Sequence, residues 1–342
     1  MKIRKVIQKG QSEPEVAIYR QDRWVPISPA IAGSGLAERI GDPAFTDVVS
    51  LLGLPPENRR ELESRVDDYL ASGADRAAEY EETPVMPFFP FSYRDFMLFE
   101  QHVTGAARGF ARQFMPGAYR LARVYEKLSK KTFPKFRPHP LWYQKPIYYM
   151  GNHLNFVTEG HPVMFPSYSR ALDYELEIGA VVAHPVKNAA PEQALEAIGG
   201  FVVFNDFSAR DVQLPEMRSG FGPVKAKHFA NAISQTVVSA DEILPHLDTL
   251  KGRVMINGQL VVETSAAGMY HSLGQAVAYA SLEEQLHAGE LIGSGTLPGG
   301  CAMENGRWVK PGDTITLKLD HIGTLTNPIT AETSRPERKE NI

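Results

Sequence analysis

The sequence predicts an α+β protein, mainly β, with a small N-terminal β/helical subdomain ahead of a larger second part. Three observations carry that expectation. Residues 253–263 alternate around Asn257-Gly258, a pair suited to a type I′ hairpin turn. Residues 171–183 and 199–206 are apolar runs of strand length and character. Helical spacing of apolar residues is confined to a few segments, chiefly 45–70 and 92–128.

Taken in order, Val16-Ala-Ile-Tyr19 and Trp24-Val-Pro-Ile27 are short apolar runs joined by Arg20-Gln-Asp-Arg23, the pattern of a hairpin. Residues 45–52 and 61–70 read as helices. Residues 79–90 turn acidic and then proline-rich, so a boundary falls near residue 88, with a second domain over 89–330. A long helix is expected from Ser92 or Tyr93 to about Phe114, with Ser92 as its N-cap and Asp95 three residues on. Pro116-Gly117 breaks it, and helix resumes over 119–128. From Pro134 the content is mainly strand. Residues 281–287 read as a helix that extends back to Leu273. Residues 309–313 form a turn that leads into an alternating strand ending at Leu319. Residues 331–342 are a charged, loose tail.

Bulk properties narrow the function classes. A chain of 342 residues with 43% hydrophobic and 22% charged content buries a sizeable core. A net charge of -4 gives no basic footprint for nucleic acid and no membrane-directed charge. The single cysteine, Cys301, excludes an internal disulfide and a cysteine-rich zinc site. The N-terminal residues lack an apolar signal core, and no apolar run approaches the ~18 residues of a membrane span. A cytoplasmic protein is expected.

The most informative segment is 171–183, an apolar strand that carries two acids, Glu175 and Glu177. Residues two apart on a strand share a face, so these carboxylates sit side by side. Buried, they repel one another and call for a cation between them. On a strand with one solvated face the same pair is ordinary. Asp206 closes the run 199–206, either as a site residue or as a turn-forming Asp, and Asp95 is a fourth acid. Four carboxylates suit a hard dication such as Mg²⁺ or Ca²⁺. They leave an excess of negative charge that Arg210 and Lys227 can offset. His102 lies seven residues after Asp95, two turns along a helix and on the same face, where a general base is useful. Cys301 reads as a nucleophile or, more simply, as a small packed residue. The glycines of 293–300 follow no strand-to-helix pattern and do not form a nucleotide loop.

Together these motifs resemble the fumarylacetoacetate hydrolase family over residues 85–325. Asp173-Tyr-Glu-Leu-Glu-Ile178 is similar to the family's Glu-x-Glu metal strand. Phe204-Asn-Asp-Phe-Ser-Ala-Arg-Asp-Val-Gln213 is similar to its Asn-Asp-x-Ser-Ala-Arg-Asp-x-Gln signature. Gly222-Pro-Val-Lys-Ala-Lys-His-Phe229 resembles the segment that follows, and assigns the active-site lysine to Lys227 rather than Lys225. Asp95 and His102 resemble a metal-ligand and catalytic-histidine pair. The segments 293–296 and 301–304 resemble the one that supplies a threonine and the histidine's glutamate partner, here Thr296 and Glu304. Tyr149 matches a substrate-facing tyrosine. Two features depart from the pattern. Arg108 and Arg112 are both out of step with the family's arginine, and Asn152 stands where a basic residue is expected.

The resemblance implies a mixed β-roll catalytic domain, a homodimer, and a small dicarbonyl acid as substrate. It implies a divalent cation, Mg²⁺ or Ca²⁺ with Mn²⁺ also suitable, held by Asp95, Glu175, Glu177 and Asp206. His102, oriented by Glu304, then activates water for carbon–carbon cleavage. Lys227, Arg210 and Gln213 act as donors for the developing charge, and Tyr149 and Thr296 position substrate. Decarboxylation, tautomerisation and sugar-acid dehydration are alternatives on the same fold. The His102–Glu304 pair leans toward hydrolysis, because only hydrolysis needs an activated water. A non-catalytic module that keeps the fold and a structural cation is a further alternative.

Overall fold

Short apolar runs at the N-terminus pair as their spacing predicts. The structure, a computed structural model, describes residues 1–73, 80, 81 and 83–331; the charged tail from 332 onward lies outside these. Strands β1 (Lys2–Val6), β2 (Glu15–Arg20) and β3 (Arg23–Pro26) form an antiparallel meander. Between β2 and β3, Gln21 and Asp22 have φ of 47° and 61°, as a tight hairpin turn requires. Helix α1 (Pro56–Ser72) lies over the meander and buries Leu62, Val66 and Leu70, one stripe at four-residue spacing.

The long helix expected from Ser92 is two elements of different kind. Residues Tyr93–Phe96 are β4, and only Glu100–Phe114 form a helix, α2. Tertiary pairing overrides the helical spacing here. All four β4 residues are buried, and the strand is paired along both edges, which outweighs weak local propensity. Ser92 caps nothing; its hydroxyl donates to Glu290 at 2.8 Å. Helix α3 (Pro116–Ser129) follows the break at Pro116.

Next come β5 (Tyr148–Met150), β6 (Leu176–Val182) and β7 (Ile198–Asn205), then α4 (Arg210–Arg218) and β8 (Val237–Ser239). The Asn257-Gly258 hairpin joins β9 (Lys251–Ile256) to β10 (Gln259–Ser265), with both turn residues at positive φ. Helix α5 (Leu273–Ala280) starts at a Ser272 capping box and stops at Ser281. The helix expected over 281–287 is therefore absent: the Ser281 hydroxyl caps the Ala278 carbonyl at 2.9 Å, and Glu283 adopts a left-handed φ of 54°. Strand β11 (Leu291–Gly293), the one-turn helix α6 (Ala302–Asn305), β12 (Thr314–Leu319) and β13 (Gly323–Thr330) complete the described elements used below.

The main sheet runs β3-β2-β1-β8-β7-β6-β11-β4-β5, so strands before and after residue 88 share it. A second sheet orders β10-β9-β12-β13. Every residue of β6 and β7 is buried, and alternation divides them between two cores. Leu176, Ile178, Ala180, Phe201 and Val203 face the core under α5 and the second sheet. Val181, Val202 and Phe204 face the core shared with the N-terminal segment. Glu177 on β6 and Glu175 just before it are both buried, which rules out the solvated-strand reading of the pair.

Helix α2 lies against α6 through two glycines. A Cβ at Gly105 would meet the Glu304 carboxylate, and one at Gly109 would overlap the Met303 carbonyl. Gly109→Ala is expected to lose at least about 1–3 kcal/mol in chemical denaturation, the range of overpacked core positions. Gly117→Ala, where a Cβ meets nothing within 4 Å, is expected to be neutral or slightly stabilising. Equal effects at the two glycines would contradict the close packing of α2 on α6.

Candidate active site

Three strand ends and two loops bring the site together. Asp95 comes from β4, Glu177 from β6, and Asp206 follows β7 directly. Register makes this geometry: Gly293 on β11 pairs with Asp95 on one side and Gly179 on the other, and Glu177 pairs with Phe204. A side chain at 293 would fill the space the acids use, since a Cβ there would stand 2.5 Å from Asp95 Oδ1 and 3.0 Å from Glu177 Oε2.

Asp95, Glu177 and Asp206 are all buried, and one oxygen of each lies within 4.8 Å of the others. Burial, reinforced by the Asp206 charge, pushes the Asp95 carboxyl well up. Burial and then Asp95 do the same to Glu177. Asp206 is raised by burial against the opposing pull of Lys227. Asp95 Oδ1 is buried without a hydrogen-bond partner. A hard dication fits this arrangement: it answers the repulsion, supplies the missing partner and matches an all-oxygen donor set.

Glu175, expected as the fourth ligand, is buried on the wall of the same cavity and pairs with two cations. One of its oxygens accepts from Arg210 at 2.5 Å and the other from Lys227. Burial works to raise the Glu175 carboxyl, but Arg210 and Lys227 overcome it and hold the group below the usual carboxylate range. Lys227 also donates to Asp206 at 2.6 Å, and Arg210 Nε donates to Asp173 at 2.8 Å. Burial alone would discharge Lys227, yet Asp206 and Glu175 keep it cationic.

Asp173 is a positioning residue that the sequence reading passed over. Besides Arg210 it accepts from the Ala302 and Met303 amides, at 2.6 and 3.1 Å, and so ties α6 to the cation pair. Its signal was available: Asp173, Glu175 and Glu177 stand at two-residue intervals. Asn205 was missed as well; its side-chain oxygen accepts from the Glu175 amide at 2.9 Å.

His102 sits on the first turn of α2, and its Nδ1 lies 2.7 Å from Glu304 Oε2. The shared helical face expected for Asp95 and His102 does not exist, since a strand and a helix carry them. The cavity unites them nonetheless. It measures about 340 Å³ and is lined by Asp95, His102, Tyr149, Glu175, Glu177, Arg210, Gln213, Lys227 and Thr296, among others. With Nδ1 held by Glu304, Nε2 is the ring nitrogen available to a reactant.

The remaining site residues divide between substrate space and support. Gln213 Oε1 accepts from Arg210 at 3.0 Å, which leaves its amide donors for a ligand. The Thr296 hydroxyl stands 3.5 Å from Glu177, and the Gly295 amide donates to Glu177 at 3.1 Å. Tyr149 lines the cavity, and its hydroxyl donates to Asp206. Cys301 is fully buried 3.3 Å from Glu304 Oε2, and burial, then Asp173, push its thiol well up. That protonated thiol is a packed donor, not a nucleophile. It also makes the His102–Cys301–Glu304 group a poor metal site, because thiolate is the ligating form.

Removing one acid tests the three-acid cluster. Glu177→Gln is expected to raise cation-free stability by about 1 kcal/mol through loss of repulsion. It is also expected to abolish the stabilisation that saturating cation gives the native protein, about 2.7 kcal/mol at 100 times Kd. Thermal denaturation with chelator and with added Mg²⁺ or Ca²⁺ reads both effects; an unchanged cation response in the variant would count against the cluster.

Comparison with known proteins agrees with the fold and with the motifs. The family model described as fumarylacetoacetate (FAA) hydrolase C-terminal matches residues 119–330. The mitochondrial oxaloacetate tautomerase of Homo sapiens is 29% identical over 162 residues, 47% of this chain and 73% of that protein. The 4-hydroxyphenylacetate degradation bifunctional isomerase/decarboxylase of Escherichia coli is 25% identical over 244 residues, 66% of this chain and 55% of that protein. In fold, the fumarylacetoacetate hydrolase of Exiguobacterium antarcticum superposes with a TM-score of 0.63 at 18% identity, covering 97% of this chain and all of that one. Among the described residues no helix is long and apolar enough to cross a membrane. The α+β fold, the acid-lined cavity and the match over residues 119–330 agree, and the chain belongs to the fumarylacetoacetate hydrolase family.

Proposed function

We propose that this protein hydrolyses a carbon–carbon bond in an acylpyruvate-type 2,4-dioxo acid. The observation that carries the reading is the His102–Glu304 pair on the wall of the same cavity as the three-acid cluster. Neither decarboxylation nor tautomerisation needs an activated water, whereas hydrolysis does. Mg²⁺ or Ca²⁺, with Mn²⁺ also suitable, fits Asp95, Glu177 and Asp206; when bound it supplies Lewis-acid polarisation and fixes substrate oxygens.

The chain's own groups divide the remaining work. His102 Nε2 takes a proton from water while Glu304 holds Nδ1 and stabilises the imidazolium that forms. The oxygen of that water bonds to the acyl carbonyl carbon. The carbon–carbon bond toward pyruvate then breaks, its electron pair passes to the pyruvate fragment as an enolate, and His102 returns the proton to that carbon. The products are a carboxylic acid and pyruvate. Lys227 and Arg210 remain cationic because buried carboxylates hold them so. With the free amide donors of Gln213 they line the wall where negative charge develops.

A second reading, tautomerisation of a 2-oxo acid, is favoured by the curated relatives named oxaloacetate tautomerase. Isotope labelling separates the two. In H₂¹⁸O, hydrolysis places one labelled oxygen in the released acid and yields one pyruvate, while tautomerisation yields neither. His102→Ala is expected to lower kcat/KM for pyruvate release by about 10²–10⁴-fold. Its cation affinity should not change, since His102 is not one of the three acids. Pyruvate release at wild-type rate in this variant would remove His102 from the reaction.

A further inference from the structure

We infer that the acyl end of the substrate is uncharged and apolar, so that the preferred compounds are alkanoyl- or aroylpyruvates rather than dicarboxylic acids. The inference deepens the hydrolase reading and rests on it for the pyruvate half of the molecule. Its basis is the asymmetry of the cavity. Charge is concentrated at one end, on the acids, Arg210 and Lys227. Elsewhere the wall is Val103, Ala106, Ala107 and Phe110 of α2, with Met217 of α4 and Met303 of α6. The four α2 residues recur at the spacing of one helical stripe, so the helix presents an apolar face along its length to the cavity.

Among the described residues, no cation lines that part of the wall. Among the described residues that line the cavity, Arg210 and Lys227 are the two permanent cations, and buried carboxylates engage both. The arginines that α2 does carry are spent elsewhere. Arg108 donates to Glu126 on α3 at 2.9 Å, and Arg112 donates to the Met303 and Glu304 carbonyls at 3.4 and 3.2 Å. Asn152 is not among the residues that line the cavity; its side-chain oxygen accepts from the Leu154 amide at 3.1 Å and caps a short turn. A carboxylate at the acyl end would leave water for an apolar wall with no partner, whereas an alkyl or aryl group gains from the same transfer.

Titration calorimetry on the Mg²⁺-loaded full chain tests this with a matched pair of ligands. One is a non-hydrolysable alkanoylpyruvate analogue; the other is the same analogue with a terminal carboxylate. The alkyl compound is expected to bind at least ~30-fold more tightly. Met217→Arg, which puts a cation at the half-exposed rim of the apolar wall, is expected to narrow that ratio by ~10-fold or more. Equal binding, tighter binding of the carboxylated compound, or binding of neither overturns the inference. Turnover is read separately on the hydrolysable pair. Pyruvate released from the carboxylated compound as fast as, or faster than, from the alkyl compound keeps the hydrolase reading while the apolar preference fails. A calorimetric preference without pyruvate release from either keeps the preference and removes the hydrolase reading.

Discussion

An excess of buried negative charge sets the terms for the rest of this molecule. Asp95, Asp173, Glu175, Glu177 and Asp206 are all buried at the junction of β4, β6, β7 and β11, against two permanent cations, Arg210 and Lys227. Those cations do not spread evenly. They pair with Glu175 and Asp173 and reach one oxygen of Asp206, and they leave Asp95 and Glu177 facing each other with no cation paired directly to either. Burial of like charges at such range is tolerated only when protons or a cation intervene. The sheet is built around that need. Its glycine at 293 clears the space, and strands paired in register on both sides hold the acids rigidly in place.

The same two cations link the charged floor to the reacting groups. Arg210 joins Glu175 to Asp173, and Asp173 in turn anchors the amides at the start of α6. Helix α6 carries Glu304, and Glu304 sets the ring of His102 on α2. The close approach of α2 to α6 at Gly105 and Gly109 makes this last contact possible. The charge pairing is therefore joined to the base by a short covalent and hydrogen-bonded route. Much of this apparatus is costly to fold, as is usual where a site concentrates charge and excludes water.

Legibility from sequence followed the strength of local constraint. The Asn257-Gly258 hairpin is readable because its turn demands particular residues, the first hairpin because two short apolar runs flank a polar link, and β6 and β7 because nothing but burial explains such long apolar runs. The segment 92–96 resists such a reading because Tyr93 and Phe96 are spaced as on a helical stripe; only the partners β11 and β5, nearly two hundred and some fifty residues away, decide it as a strand. The site acids were found through their pattern, but pattern does not assign partners. Glu175 and Glu177 look equivalent on the strand, yet Glu175 turns to Arg210 and Lys227 while Glu177 turns to Asp95. Tyr149 likewise was read by position as facing substrate, and its hydroxyl serves Asp206. Asp173 escaped notice because its role is to hold other groups, which leaves no signature beyond its two-residue spacing.

Anomalous diffraction from crystals grown with Mn²⁺ tests the central claim most directly. One peak is expected at the junction of the three strands, with oxygens of Asp95, Glu177 and Asp206 at about 2.0–2.6 Å, the range of oxygen-ligated dications. A peak at His102, Cys301 and Glu304 instead, or no peak at saturating Mn²⁺, would contradict it.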